Sequence, residues 1–425
     1  MLTIAYLANE FPSPVEPYVQ EEIDELERRG VCVVTGSVKR VRTGASDTAP
    51  CPDIVVLPLS GRILIPAIWL CVRKWIQVLP LIARVLFCGR EGLVQRVKAL
   101  AHTFLGACYA VQLQVRRVEH IHVHHGYFGS WIALTASKLL GIGFSLTLHG
   151  SDLLLHASYL DVKLGACGFC LTVSEYNRRY ILEQYPGVVR EKVIVSRMGV
   201  DVPAVSEALR SRNGSSLRLL AVGRLHPVKD HAILIKACKR LAARGVSFEC
   251  AIAGEGPERR SLEALISKGG LGETVKLLGH VERAQMGRLY DDADVVVLTS
   301  RSEGIPLVLM EAMVRARIVL APAITGIPEL VIPGRTGFLY EPGSMSDFID
   351  QLLLIRSMIG GFDDASPEHR GEDKRLDWIR HAARVHVLLN FNRSKNLKSF
   401  ANLFLNRIAP QEEGVSNENL VLQQI

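Results

Sequence analysis

The chain is poor in most features that mark secreted, fibrous or membrane-spanning proteins. Its nine cysteines are an odd number scattered over 425 residues, which argues against a disulfide-built scaffold and for a reducing compartment. No stretch reaches the ~18 uncharged apolar residues of a membrane span. The longest candidates are Ile63–Val72, ended by Arg73 and Lys74, and Thr103–Val115. The opening MLTIAYLANEFPSP lacks a basic n-region and a long apolar core, and is expected to be a first strand, Leu2 to Leu7, not a signal peptide. Two nucleotide motifs are also missing. Where a dinucleotide fold needs G-x-G-x-x-G, the first half has ANEFPSP and the second GRLHPVKD, and no G-x-x-x-x-G-K-[ST] occurs. Nicotinamide, flavin and P-loop chemistry are therefore disfavoured.

What the chain does have is a folded composition, 48% apolar and 22% charged, over a length that suggests two or three domains. Strand and helix patterns alternate. The stripe Val19, Ile23, Leu26 predicts a helix stopping near Gly30. Strands are expected at Val31–Thr35, Asp53–Leu57, His120–His124, Phe144–Leu148, Phe169–Val173 and Val193–Ser196, and a second series begins at Leu217–Val222. Such alternation predicts an α/β fold of two doubly wound, Rossmann-like domains with ligands at the carboxyl ends of their strands. The expected boundaries are an N-terminal domain over 1–204, a polar linker over 205–216 and a second domain over 217–375. C-terminal helices over 376–410 and a frayed tail over 411–425 follow.

Charge is distributed unevenly. Segment 54–118 carries Arg62, Arg73, Lys74, Arg84, Arg90, Arg96, Lys98, Arg116 and Arg117 against Glu91 alone, more than the chain's whole excess of +7. The same segment is strongly apolar and holds Trp69 and Trp75. One reading is a pair of core helices whose basic side chains reach out to water. The other, favoured by the one-sided charge, is a surface that meets the headgroups of an anionic membrane. Nucleic acid is not an expected partner, since the aromatics sit inside apolar runs.

Two constellations in the second half carry chemistry. After strand Leu217–Val222 come Gly223 and Arg224, then Lys229. They place two cations at a strand's carboxyl end beside a helix start, where a diphosphate fits. After strand Val295–Thr299 comes Glu303-Gly304-Ile305-Pro306-Leu307, with Glu311 about 7.5 Å further along a helix at ~1.5 Å per residue. Carboxylates so placed accept hydrogen bonds from sugar hydroxyls, and the amides of Gly304 and Ile305 can face a phosphate or hydroxyl.

These motifs occur in order with Gly254-Glu255-Gly256-Pro257, Gly279-His280-Val281, Leu298-Thr299-Ser300 and Gly326-Ile327-Pro328-Glu329. The first half adds His149-Gly150-Ser151-Asp152, Thr172-Val173-Ser174-Glu175 and Met198-Gly199-Val200-Asp201. Together they resemble the retaining family 4 glycosyltransferases of GT-B fold. The opening Phe11-Pro12, Glu16-Pro17-Tyr18-Val19 and Glu22-Ile23 is similar to a branch that builds bacterial exopolysaccharides. The resemblance implies that Arg224 and Lys229 bind the donor diphosphate and Glu311 the ribose. It puts Glu303 and the Gly304–Leu307 backbone against the donor sugar, His149 against it from the opposite domain, and the base near Gly254 and Val281. It implies C-terminal helices returning to the first domain, a UDP- or GDP-linked hexose donor, and no tightly bound metal. The acceptor is expected to be a saccharide, polyprenyl-linked, reached from the cytoplasmic face of a membrane. Two residues depart from the family pattern: Thr325 stands where glycine is common, and Met198 where asparagine is common.

His120, His122, His124 and His125, and the pair Cys167 and Cys170, could be read as metal ligands. Without a second C-x-x-C, cleft-edge histidines and buried free thiols are the better reading. Two other functions share the expected fold: a non-catalytic scaffold of a polysaccharide assembly complex, and a nucleotide-sugar epimerase.

Overall fold

The computed structural model describes residues 1–13, 16–39, 51–89, 91–155, 157–203, 216–359 and 369–408, with 369–373 as backbone only. The expected tail, and the expected linker up to 215, lie outside the described residues.

Seven strands form the first sheet: β1 (Thr3–Glu10), β2 (Cys32–Lys39), β3 (Ile54–Leu57), β4 (His120–His124), β5 (Gly143–Leu148), β6 (Phe169–Thr172) and β7 (Val193–Val195). Their order is β3-β2-β1-β4-β5-β6-β7, and every pairing is parallel. Six more form the second: β8 (Leu217–Val222), β9 (Phe248–Ala253), β10 (Val275–Gly279), β11 (Val295–Val297), β12 (Ile318–Pro322) and β13 (Phe338–Tyr340), ordered β10-β9-β8-β11-β12-β13 and also parallel. In both sheets the order reverses beside the first strand, which opens a crevice at the carboxyl ends of the central strands. The apolar runs that made these strands legible are buried on both faces; in β4 all five residues are buried.

The helix Pro17–Glu27 packs its predicted stripe, with Val19, Ile23 and Leu26 all buried. The basic segment forms helices Gly61–Arg73 and Trp75–Phe87, bent 90° to each other, followed by Leu93–Val115. The segment divides between core and surface. Ala67, Leu70, Val78, Leu81 and Val85 enter the first domain's core, while Ile65, Trp69, Val72, Trp75, Ile76 and Phe87 face outward. Among the described residues no single helix is long and apolar enough to cross a membrane.

The C-terminal helices differ from the expectation that both return to the first domain. Helix His369–Asn390 stays on the second domain, burying Leu376 and Ile379 in one of its clusters and Ala383 and Val387 in the other. Only helix Arg393–Ile408 crosses back, with Phe400, Ala401 and Phe404 packed among Ile4, Tyr6, Ile23 and Phe169. The switch comes at Phe391–Arg393, where Val200 and Asn392 form a β-bridge and Arg393 pairs with Glu21 and Asp201. Apolar periodicity marks both helices but does not say which core each one fills.

Candidate active site

The second domain's wall is built from loops at the carboxyl ends of β8, β9 and β11. A Cβ on Gly223 would meet nothing closer than 3.7 Å. The constrained glycine is Gly254, at φ +149°, where a Cβ would fall 2.0 Å from the Gly223 carbonyl oxygen. Loop 223–230 is also tied to the loop after β11. Arg301 N–H donates to the Val228 carbonyl at 2.8 Å, and Thr299 Oγ1 donates to the Lys229 carbonyl at 2.8 Å. Arg301 Nε bonds Asp230 at 2.7 Å.

This bracing sets Lys229 Nζ 2.5 Å from Glu303 Oε1. The Arg224 side chain is exposed, with no hydrogen bond or ion pair among the described residues, and its charge reaches across the cleft to Glu16 and Tyr127 of the first domain. Glu303 is held from behind by Thr325, whose Oγ1 donates to the Glu303 carbonyl at 2.6 Å. Thr325 has φ +46°, so the position where glycine is common keeps the left-handed conformation and gains a hydroxyl tether.

Pro306 proves to be the residue before the helix, not within it, and Leu307 opens the turn. The amides of Gly304 and Ile305 donate to no partner among the described residues. Glu311 accepts a 2.7 Å hydrogen bond from the Tyr290 hydroxyl, which leaves its other oxygen open. Burial and the Glu311 charge push the Tyr290 hydroxyl well above its ordinary value. Val281 lies two residues past Gly279, whose carbonyl accepts from Gly254 N–H at 2.8 Å.

The first domain's wall meets this one at a glycine contact. A Cβ on Gly304 would fall 2.3 Å from the His149 carbonyl oxygen, so only glycine lets the walls approach this closely. Glu329 reinforces the closure by accepting from the amides of Glu175 and Tyr176, at 3.0 and 2.7 Å, at the start of helix Glu175–Gln184.

Behind His149 lies a hydrogen-bonded network. His149 Nε2 is 3.1 Å from His124 Nδ1, and His124 Nε2 is 3.1 Å from Glu22 Oε2, which also accepts from the Tyr6 hydroxyl at 2.9 Å. His149 Nδ1 is buried and without a partner. Burial, and then the positive field of His125, hold the His149 ring well below the ordinary histidine value. His125 behaves in the opposite way. Burial opposes its charge, but Asp152 at 3.6 Å and Glu16 at 3.0 Å outweigh that and raise it to about 10. Asp152 is itself held low despite burial, through His125 and the amides of Gly150 and Gly126.

The structure thus sets Lys229 against Glu303 and His149 against Gly304, with Arg224 exposed at the edge of the wall and Glu311 bonded to Tyr290. Sequence reasoning gave Tyr290 no role and put His124 and His125 at the cleft edge without partners; all three meet their partners only through the fold. Ligand atoms of Glu22, His122 and His124 lie within 4.8 Å of one another. His122 already bonds Ser145 at 2.8 Å and Thr147 at 3.0 Å, so these side chains are satisfied without a metal. Cys167 and Cys170 are buried free thiols, and burial pushes Cys167 up to about 12.

Two facing parallel sheets, a cleft at their carboxyl edges and a C-terminal helix crossing back define a GT-B architecture. The structure superposes on Anabaena HepE, solved with UDP and glucose, with a TM-score of 0.65 and 19% identity, covering 96% of this chain and 100% of that one. Residues 208–358 match the family described as "Glycosyl transferases group 1". The chain is 38% identical over 159 residues to WcaL of Salmonella typhimurium, named as a colanic acid biosynthesis glycosyltransferase, covering 36% of this chain and 39% of that protein. It is 36% identical over 175 residues to the amylovoran biosynthesis glycosyltransferase AmsK of Erwinia amylovora, covering 40% and 43%. The chain spans about two fifths of the length of these curated relatives.

Proposed function

We propose that this protein is a glycosyltransferase of cell-surface polysaccharide assembly that moves a hexose from a nucleotide diphosphate sugar to a lipid-linked saccharide, with retention at the anomeric carbon. The observation that carries this reading is the grouping of Arg224, Lys229, Glu303 and Glu311 on one cleft wall, opposite His149. A UDP- or GDP-sugar fits such a wall: cations for the diphosphate, and an open carboxylate oxygen on Glu311 for two ribose hydroxyls. As the bond to the sugar breaks, negative charge grows on the departing diphosphate, and Arg224 and Lys229 stabilise it. Lys229 leaves or shares its contact with Glu303 when the diphosphate arrives, which frees the carboxylate for the sugar's hydroxyls. Exopolysaccharide assembly is the role named for both WcaL and AmsK. A scaffold would have no need of these four side chains, and an epimerase would leave the basic apolar surface without a use. Calorimetry against UDP- and GDP-hexoses, followed by product analysis with and without a saccharide acceptor, tests the assignment. Release of nucleotide without transfer, or epimerised donor, would replace it by a rival.

The lipid-linked acceptor and a peripheral position on the cytoplasmic membrane face rest on helices Gly61–Arg73 and Trp75–Phe87. Trp69 and Trp75 are 58% and 56% exposed, among outward Ile65, Val72 and Phe87. Arg62, Arg73, Lys74 and Lys98 supply the charge for anionic headgroups, each worth ~1 kcal/mol near a membrane surface. Arg84 does not belong to this set, being paired with Glu91 and Asp161, and Arg96 is spent on the carbonyls of Val85, Leu86 and Gly89. Exchanging Arg73 and Lys74 for Gln, with Trp69→Ala, should release the protein from phosphatidylglycerol vesicles while nucleotide binding is kept. Wild-type protein that fails to sediment with such vesicles at low salt would remove the membrane from the proposal.

A further inference from the structure

We propose that Glu22 and His124 are positioning residues that hold His149 as its Nε2–H tautomer, so that His149 Nδ1 is left as a bare hydrogen-bond acceptor for a hydroxyl. The inference deepens the glycosyl-transfer reading and rests on it for the identity of the hydroxyl, which belongs to the transferred sugar.

The polarity of the chain follows from its end. A carboxylate only accepts, so His124 Nε2, 3.1 Å from Glu22 Oε2, carries the proton. In a neutral imidazole the other nitrogen is then a lone pair, and His124 Nδ1 accepts from His149 Nε2 at 3.1 Å. That leaves His149 Nδ1 unprotonated, and it is the buried nitrogen with no partner. Neutrality of both rings is supported by their neighbour. His125 is paired with Glu16 and Asp152 and carries the positive charge, with its ring centroid 4.7 Å from that of His149 and 6.4 Å from that of His124. A second cation so close is disfavoured. The other groups facing the pair are Tyr18, tilted over both rings, and His122 and Tyr6 beside His124. The nearest acid is Asp152, whose carboxylate accepts from the backbone amides of His149, Gly150 and Gly126 and faces His125, not the Nε2 end of the His149 ring, so it does not reverse the chain. The orientation decides what His149 can bind. An Nδ1 acceptor takes a sugar O–H and repels a phosphate oxygen, so the first domain's wall reads the sugar while the second holds the diphosphate.

Nitrogen-15 NMR of histidine-labelled full-length protein, without ligand, decides the point between pH 6.5 and 8.5. The expected spectrum shows His149 with a protonated Nε2 and a bare Nδ1, unchanged across that range. Glu22→Gln, whose amide can donate as well as accept, should give a mixture of tautomers, whereas Tyr6→Phe, which leaves the chain intact, should not. With UDP-glucose, UDP-galactose and GDP-mannose as probes, Glu22→Gln should lower kcat about 10-fold for whichever is turned over, with KM for the donor within about twofold. A wild-type His149 that is protonated at Nδ1, or that is an imidazolium at pH 7.5, overturns the inference. If wild-type protein turns over none of the three probes, the donor reading fails, and the spectrum still decides the tautomer on its own.

Discussion

The two walls of the cleft are made from opposite materials. The second domain presents charged side chains on loops, and the cation at its edge, Arg224, is solvent-exposed. The first domain presents a buried histidine system in which His120, His122, His124 and His149 are linked to Ser145, Thr147 and Glu22 by hydrogen bonds. A flexible donor with a diphosphate suits the first material, since long cations can follow the charge as a bond breaks. A hydroxyl pattern suits the second, since discrimination between sugars depends on acceptors and donors that do not move.

If that division of labour is right, the largest effects come from the charged wall. Arg224→Ala or Lys229→Ala should lower turnover on the order of 10²-fold or more, because each removes a contact to the departing diphosphate. Steady-state kinetics with unchanged activity in either variant would break the comparison, as loop 223–230 would then be mere surface. A smaller effect is expected one helix along. Glu311→Gln should weaken nucleotide binding about 10-fold, and Tyr290→Phe less, because the hydroxyl only orients the carboxylate that it bonds. Glu303→Gln should instead reduce turnover with the donor still bound. Calorimetry beside rate measurements separates the two, and equal, negligible losses at both glutamates would make the pair a solvated helix face.

The same contrast explains what could be read from the residues in advance. Strands β4 and β8 fall where the sequence predicts, residue for residue. The second wall was legible because each of its pieces is local: G-R with Lys229 within seven residues, and E-x7-E within nine. The first wall is not local. Glu22 and His124 stand 102 residues apart and His124 and His149 25 apart, so only the parallel pairing of β1, β4 and β5 brings them into one network. The alternation of His120, His122 and His124 was visible, but a metal and a hydrogen-bonded network have the same one-dimensional signature. Strand Phe338–Tyr340 and helix Met345–Ile359 were not anticipated, although Phe348, Ile349, Leu352 and Ile355 carry a helical stripe that was there to be found.

The smallest effect concerns stability and sharpens the comparison most directly, since it isolates the first wall. Burial lowers His120 to about 4 and holds His122 and His149 well below the ordinary value near 6.5. In the unfolded chain these rings take up protons as pH falls through about 6.5, while the folded protein leaves them neutral. A depressed histidine therefore contributes stability that is present above its unfolded value and lost as pH falls toward its folded one. His125 runs the other way: raised to about 10, it contributes stability that is complete below about 6.5 and is lost progressively as pH rises from there through about 10. Between pH 7 and 5 the depressed rings dominate, and denaturant unfolding should lose stability at up to ~1.4 kcal/mol per pH unit for each ring that titrates. His122→Asn should flatten that slope by about one proton, whatever it does to stability at pH 7. A slope insensitive to His122 would mean that the ring is solvated or already charged in the folded state, and the fixed, neutral wall would lose its physical basis.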